Sequence, residues 1–130
     1  MIGIVIVAHG GLAREYLAAV EHVVGHQPGL VAIAIEADHD RDEKQQEILA
    51  AANAVDAGDG VVVVTDLFGG SPSNLSLRAC APADRRILYG ANLPMLIKLA
   101  KSRHLPVGDA VRAAMEAGRK YINTQNVTLD

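Results

Sequence analysis

The sequence has few aromatic residues, one cysteine and no long apolar run. Tryptophan is absent, aromatic residues make up 3% of the 130 residues, and Cys80 is the only cysteine. A single cysteine excludes an internal disulfide and is typical of a reducing compartment. The scarcity of aromatic rings argues against a flavodoxin-like binding module, which would stack a flavin on them. It also leaves Ala, Val, Leu and Ile to build the core.

An excess of positive charge and a membrane-spanning segment are also missing. The formal net charge is -3 and the sequence pI is about 5.9, so no basic surface for nucleic acid or anionic lipid is predicted. No run approaches about 18 apolar residues, and the N-terminus lacks the charged region and cleavage site of a signal peptide. These features predict a soluble cytoplasmic protein, and the length predicts one domain over residues 1–130.

What is present is a regular alternation of strand and helix patterns. An apolar run at residues 2–7 indicates a buried central strand that ends in Ala8, His9 and two glycines. Three further strands are predicted at 30–35, 61–65 and 86–90. Five helices are predicted, at 12–24, 40–57 and 72–80, from about residue 93 onward, and at 107–120. Ser71 is predicted as the N-cap of the third helix. This order predicts a three-layer α/β domain with a mostly parallel sheet and a short final strand at 126–129.

The ends of the predicted strands bring chemically active residues to one edge of the sheet, where such folds place their ligands. The first strand ends at His9, and Asp66 follows the third. If these strands are neighbours, the carboxylate would accept a proton from one imidazole nitrogen and leave the other as a nucleophile. Gly69, Gly70 and Ser71 would supply N–H groups and a hydroxyl to an oxyanion. The set predicts phosphoryl transfer to histidine, which requires no cofactor and no metal.

Each candidate residue also has a purely structural interpretation. His9 alone could be a histidine with satisfied hydrogen bonds, and the glycines could form an ordinary strand-to-helix turn. His22 and His26 are four residues apart, as in some metal sites, but a glycine ends the helix between them. His39 lies in a charged loop and His104 in another loop, and none of these four histidines is selected.

Three motifs resemble the enzyme IIA domain of the mannose-type sugar phosphotransferase system. They are VAHG at residues 7–10, TDLFGGSPSN at 65–74 and GANLPM at 90–95, in the order and spacing of that family. The resemblance covers essentially the whole chain. It implies a phosphoryl carrier in which His9 receives a phosphoryl group from phospho-HPr and passes it to an enzyme IIB domain. Asp66 would orient the imidazole, and the segment from Gly69 through Gly70 to Ser71 would bind the phosphoryl oxygens.

The resemblance also carries expectations about assembly. The family fold has strand order 2-1-3-4 and is commonly a homodimer in which the C-terminal segment, here Val127 and Thr128, adds an antiparallel strand to the partner's sheet. Many sugar-transporting members continue into a IIB domain, whereas this chain ends at Asp130. It would therefore serve a separate IIB protein or report its phosphorylation state to a regulatory partner. An apolar rim for partner docking is predicted from Leu12, Leu67, Phe68 and Met95.

Two other enzyme families are alternative interpretations. The phosphocarrier subunit of dihydroxyacetone kinase shares the fold and the histidine, but the GGSP block at residues 69–72 argues against it. Small cobalt chelatases also begin with an apolar strand and a His-Gly pair. They need a second metal-binding histidine after a later strand, where this chain has Asp66 and Asn92.

Overall fold

In the computed structural model, which describes residues 1–82 and 84–130, strands and helices alternate along the chain. The strands are β1 (Gly3–His9), β2 (Leu30–Ile35), β3 (Val61–Thr65) and β4 (Arg85–Leu88). The helices are α1 (Leu12–Val24), α2 (Arg41–Val55), α3 (Ser71–Ser76), α4 (Leu93–Lys101) and α5 (Val107–Lys120), and a 3-10 turn (Arg78–Cys80) follows α3. None of these helices, in the part of the chain that is described, combines the length and apolar character needed to span a membrane.

Within the described residues, the four strands form one parallel sheet in the order β2-β1-β3-β4. This confirms the expected strand order. In the ladders, His9 is the partner of Ile35 and Val7 is the partner of Thr65. The carboxyl ends of β1, β2 and β3 therefore lie side by side at one edge of the sheet.

Helices cover both faces of the sheet, which confirms the three-layer α/β architecture. Alternate residues of a strand point to opposite faces. On β1, Ile4 and Ile6 pack with residues of α1, α4 and α5, whereas Val5 and Val7 pack with residues of α2 and α3. All four side chains are fully buried. Burial on both faces is the reason that this strand is apolar at every position.

The third helix and the fourth strand differ in detail from the prediction. α3 ends at Ser76, short of the predicted end at about residue 80, because residues Arg78–Cys80 form a 3-10 turn. Gly70 rather than Ser71 occupies the N-cap position, and Ser71 is the first helical residue and makes no side-chain cap. β4 starts at Arg85 because this residue pairs with Val61, and it ends before Gly90, whose φ of 78° leaves the extended region.

The predicted strand at 126–129 does not form within this chain. α5 ends at Lys120, and no strand occurs in the described residues 121–130. Val127 and Leu129 are 67% and 89% exposed. A strand needs a neighbour for its N–H and C=O groups, and the free edges of the sheet belong to β2 and β4. Strand exchange between two copies therefore stays a prediction.

Candidate active site

The imidazole of His9 and the carboxylate of Asp66 meet at the carboxyl edge of the sheet. β1 and β3 are neighbours, with Val7 paired to Thr65, so the ends of the two strands lie side by side. Asp66 Oδ2 lies 2.8 Å from His9 Nδ1 and also accepts a hydrogen bond from the His9 backbone N–H at 3.1 Å. The His9 side chain is 50% exposed, whereas that of Asp66 is 10% exposed. One carboxylate oxygen thus fixes both the backbone and the ring of the histidine.

The charge of Asp66 determines which ring nitrogen is free. Burial raises the pKa of Asp66, but the hydrogen bonds from the His9 ring and backbone outweigh it, so the pKa lies below its usual value. The carboxylate is therefore ionised at neutral pH and can only accept hydrogen bonds. Nδ1 of His9 must carry a hydrogen, so in the neutral ring it is Nε2 that has the lone pair. The other carboxylate oxygen, Oδ1, is buried without a partner among the described residues.

Gly70 passes directly beside the free edge of the imidazole. A Cβ at this residue would lie 3.1 Å from His9 Cε1 and 3.5 Å from Nε2. The backbone of Gly70 has φ of -86° and ψ of 177°, which any residue can adopt. The glycine is therefore required by the close approach of the chain to the ring rather than by its conformation.

The neighbours of Gly70 have different roles from each other. Gly69 has φ of 87°, and its N–H donates to the Ser73 hydroxyl oxygen at 3.0 Å. Contrary to the prediction, this amide is therefore not available to an oxyanion. Ser71 is exposed and lines a cleft beside His9. The backbone N–H groups of Gly70 and Ser71 have no hydrogen-bond partner in the described part of the chain. The structure thus keeps Gly70 and Ser71, and not the Gly69 amide, as candidate oxyanion donors.

The predicted docking rim is only partly present at the surface. Leu12 is 38% exposed, Leu67 is 48% exposed and Phe68 is 76% exposed. The Phe68 ring contacts Tyr89 edge-on, with 5.0 Å between ring centroids. Met95 is 6% exposed, so its prediction as a rim residue is wrong. Its position in the first turn of α4 points it inward, against the part of α5 around residue 118.

Asn92 is a structural residue of the GANLPM motif rather than part of the site. Its Oδ1 accepts a hydrogen bond from the Met95 N–H at 3.0 Å and caps α4. Its Nδ2 donates to the Gly118 carbonyl at 2.8 Å and ties α4 to α5.

Replacing Asn92 by alanine should therefore lower the free energy of unfolding by about 2 kcal/mol, because the cap and the α4–α5 contact are both lost. Chemical denaturation measures this loss. Asn92→Ser is the matched variant, since the serine hydroxyl oxygen can still cap α4 while the amide donor to the Gly118 carbonyl is lost, and it should be less destabilised. Equal stability of Asn92→Ala and the unmodified protein would contradict this role.

Two residues near the site were not selected from the sequence. The Tyr16 hydroxyl donates to the Ala91 carbonyl at 3.1 Å, and burial followed by the charge of Asp66 raises the pKa of this tyrosine. His39 lines the same cleft as His9. Within the helix predicted at 12–24, Tyr16 occupies a position of the apolar face, which gives no signal of proximity to the site. His39 could have been found from the end of β2, which lies at the same edge of the sheet.

The remaining histidines of the described chain are not grouped with other possible metal ligands. No group of three or more His, Cys, Asp or Glu side chains suited to a metal ion occurs among the described residues. His26 Nδ1 lies 2.9 Å from Glu21 Oε2 at the exposed end of α1. Burial raises the pKa of the Cys80 thiol to about 11, so this cysteine is not an activated nucleophile.

Comparisons with known proteins agree with this geometry. A family model described as the PTS system fructose IIA component matches residues 3–116. The mannose-specific EIIAB component of the phosphotransferase system from Escherichia coli K12 is 28% identical over 124 residues. That alignment covers 93% of this chain but only 38% of the relative, so the chain spans well under half of the length of that protein.

Solved structures with the same fold cover the whole domain. The phosphotransferase system component EIIA from Streptococcus agalactiae is 30% identical, with a TM-score of 0.85 over 95% of this chain and 97% of that one. The mannose/sorbose-specific IIA subunit from Enterococcus faecalis is 25% identical, with a TM-score of 0.86 over 98% and 97%. These matches do not favour the dihydroxyacetone kinase or chelatase alternatives. The chain belongs to the family described as the PTS system fructose IIA component.

Proposed function

We propose that His9 is the residue that carries the phosphoryl group, on Nε2. The observation that supports this is the 2.8 Å contact between His9 Nδ1 and Asp66 Oδ2, which leaves Nε2 as the nucleophile in a half-exposed ring. In the transfer, a P–N bond in the donor phosphohistidine breaks as a P–N bond to His9 Nε2 forms. The ring gains positive charge as Nε2 attacks, and the Asp66 carboxylate stabilises that charge.

The backbone beside the ring would hold the transferred group. A phosphoryl group on Nε2 would lie next to Gly70, whose missing side chain leaves the space. The free N–H groups of Gly70 and Ser71 and the Ser71 hydroxyl are donors for its oxygens. Little covalent chemistry is left for the protein, since phosphoryl transfer depends mainly on positioning and on charge stabilisation.

The donor and acceptor would be phospho-HPr and an enzyme IIB domain. The curated relative is an EIIAB component, which supports a IIB-type acceptor. Leu12, Leu67 and Phe68 lie on the segments that follow β1 and β3 and expose apolar surface, which partner docking would cover. We place this exchange in the cytoplasm, in keeping with the unpaired thiol of Cys80.

We also infer a homodimer in which the C-terminal segments pair with the partner's sheet. The supporting observation is that the described tail has no strand partner and exposes apolar side chains, with Ile122 76% exposed in addition to Val127 and Leu129. The β4 edge, to which such a strand would add, is a free edge of the sheet. A sedimentation mass of one chain at micromolar concentration would reject this assembly without affecting the role of His9.

The carrier function is tested by phosphorylation from phosphoenolpyruvate through enzyme I and HPr. Intact-mass measurement should show an acid-labile gain of about 80 Da, the mass of one phosphoryl group. His9→Ala should show no gain, whereas His22→Ala, a matched control on α1, should match the unmodified protein. The proposal fails if the unmodified chain gains no mass or if His9→Ala gains the same mass.

A further inference from the structure

A second histidine lines the cleft that contains the phosphoryl acceptor. β2 and β1 are neighbours, and Ile35 is the ladder partner of His9, so the loop after β2 lies beside the site. The cleft has a volume of about 450 Å³ and is lined by His9, Gly10, Ile35, Glu36, Ala37, His39 and Ser71. It is of the size of small-ligand sites and is open to solvent.

The ring of His39 is held in one orientation. Its Nδ1 lies 2.8 Å from the carbonyl oxygen of Glu36, which also accepts a hydrogen bond from the His39 backbone N–H at 3.3 Å. A carbonyl oxygen can only accept, so Nδ1 of His39 carries a hydrogen. The side chain is half-buried, and its Nε2 has no partner among the described residues. The one polar atom that His39 can offer to a ligand is therefore Nε2.

The cleft would become strongly negative when His9 is phosphorylated. The loop around His39 already carries the carboxylates of Glu36, Asp38 and Asp40, and Asp66 lies behind His9 on the other side. Two of these negative charges have partners. Arg14 Nη2 on α1 lies 3.9 Å from Glu36 Oε1, and the Asp40 carboxylate caps α2 by accepting a hydrogen bond from the Glu43 N–H. A phosphoryl group adds close to two further negative charges, which favour a second proton on a neighbouring imidazole.

We propose that His39 is a phosphoryl-binding residue: as an imidazolium, it donates its Nε2–H to an oxygen of the phosphoryl group on His9. The proposal rests on the assignment of His9 as the phosphoryl acceptor. The proton comes from solvent when the phosphoryl group arrives and returns to solvent when the group leaves. His39 makes no bond to phosphorus and supplies only a charge-assisted hydrogen bond from an anchored ring.

This role makes phosphorylation of His9 depend on pH. Because a proton is taken up with the phosphoryl group, the equilibrium for transfer from phospho-HPr should shift toward this protein as the pH falls. Loss of one charge-assisted hydrogen bond corresponds to about a tenfold change in that equilibrium. The contribution should be largest near pH 6 and should disappear near pH 9, where an imidazole is neutral.

His39→Asn is the sharpest variant, because its side-chain amide can still donate to the Glu36 carbonyl from the position of Nδ1 and provides no group at the position of Nε2. His104→Asn is the matched control: the same substitution in a loop near Asp59, at the opposite edge of the sheet. The exchange equilibrium with phospho-HPr is measured for both by intact mass at pH 6 and pH 9. We expect about a tenfold loss for His39→Asn at pH 6 and none at pH 9, and no loss for His104→Asn.

A second measurement on the unmodified protein does not depend on the variant folding. The ¹⁵N resonance of His39 Nε2 should move toward that of a protonated ring nitrogen when His9 is phosphorylated at neutral pH. The inference is overturned if this resonance does not move, or if a folded His39→Asn equals the unmodified protein at pH 6 while His9 is phosphorylated. If the unmodified chain accepts no phosphoryl group, the carrier function itself fails, which is a distinguishable result.

Discussion

Asp66→Asn should lower the rate of phosphoryl transfer to His9 by about 10⁴-fold, the size of the corresponding effect in a Ser-His-Asp triad. The amide removes the negative charge that stabilises the ring as Nε2 attacks. If its oxygen replaces Oδ2, its NH2 group occupies the buried Oδ1 position, which has no partner among the described residues. If the amide is reversed, its NH2 group faces Nδ1 and favours the tautomer in which Nε2 carries the hydrogen.

Rapid-quench measurement of transfer from phospho-HPr tests this expectation. Asp59→Asn is the control, because Asp59 is an exposed carboxylate that pairs with the N-terminal amine, away from the site. Circular dichroism should show that both variants keep the fold. A transfer rate for Asp66→Asn equal to that of the unmodified protein would remove the carboxylate from the mechanism.

Gly70→Ala should reduce phosphoryl transfer by about 100-fold while the fold is retained, since a misplacement of about 1 Å at a reacting group has an effect of that size. The new methyl group would lie 3.1 Å from Cε1 and 3.5 Å from Nε2 of His9, in the space that the phosphoryl group needs. The backbone conformation of Gly70 is permitted for alanine, so unfolding is not expected.

Gly11→Ala provides a closely matched control for this substitution. Gly11 is two residues from His9 and has φ of -86° and ψ of 3°, and a Cβ there would meet no atom within 4 Å. Both variants introduce the same methyl group near the same histidine, but only one places it against the ring. Equal transfer rates for the two variants would show that the space beside Nε2 is not used by the phosphoryl group.

The site could be predicted in part because its two main residues follow strongly patterned strands. The runs that end at His9 and before Asp66 are buried, apolar and continuous, so their ends were placed correctly. His39 was not selected because it lies in a charged loop that matches no motif, although the expected strand order 2-1-3-4 puts the end of β2 beside His9. Only the pairing of β2 with β1 brings the two histidines into one cleft.

The residues that were placed wrongly depend on packing that sequence patterns do not encode. Met95 was predicted as a residue of the docking rim, but α5 packs over it and leaves it 6% exposed. Ser71 is a favoured N-cap residue type, yet the helix begins one residue earlier than predicted. Gly70, which lies against the ring of His9, takes the N-cap position, and Ser71 is the first helical residue. The tail at 126–129 has strand-like residues, but strand formation depends on a partner edge that is absent from the local sequence.

The two hydrogen bonds that Asp66 Oδ2 makes with His9 have a consequence for the entropy of the transfer. One oxygen holds the backbone N–H at 3.1 Å and the ring Nδ1 at 2.8 Å, so the rotation of the imidazole about its side-chain bonds is restricted before any partner binds. The loss of side-chain freedom that normally accompanies binding has already occurred during folding. Loaded and unloaded carriers should therefore present the same ring orientation, and partners would distinguish them by charge rather than by shape.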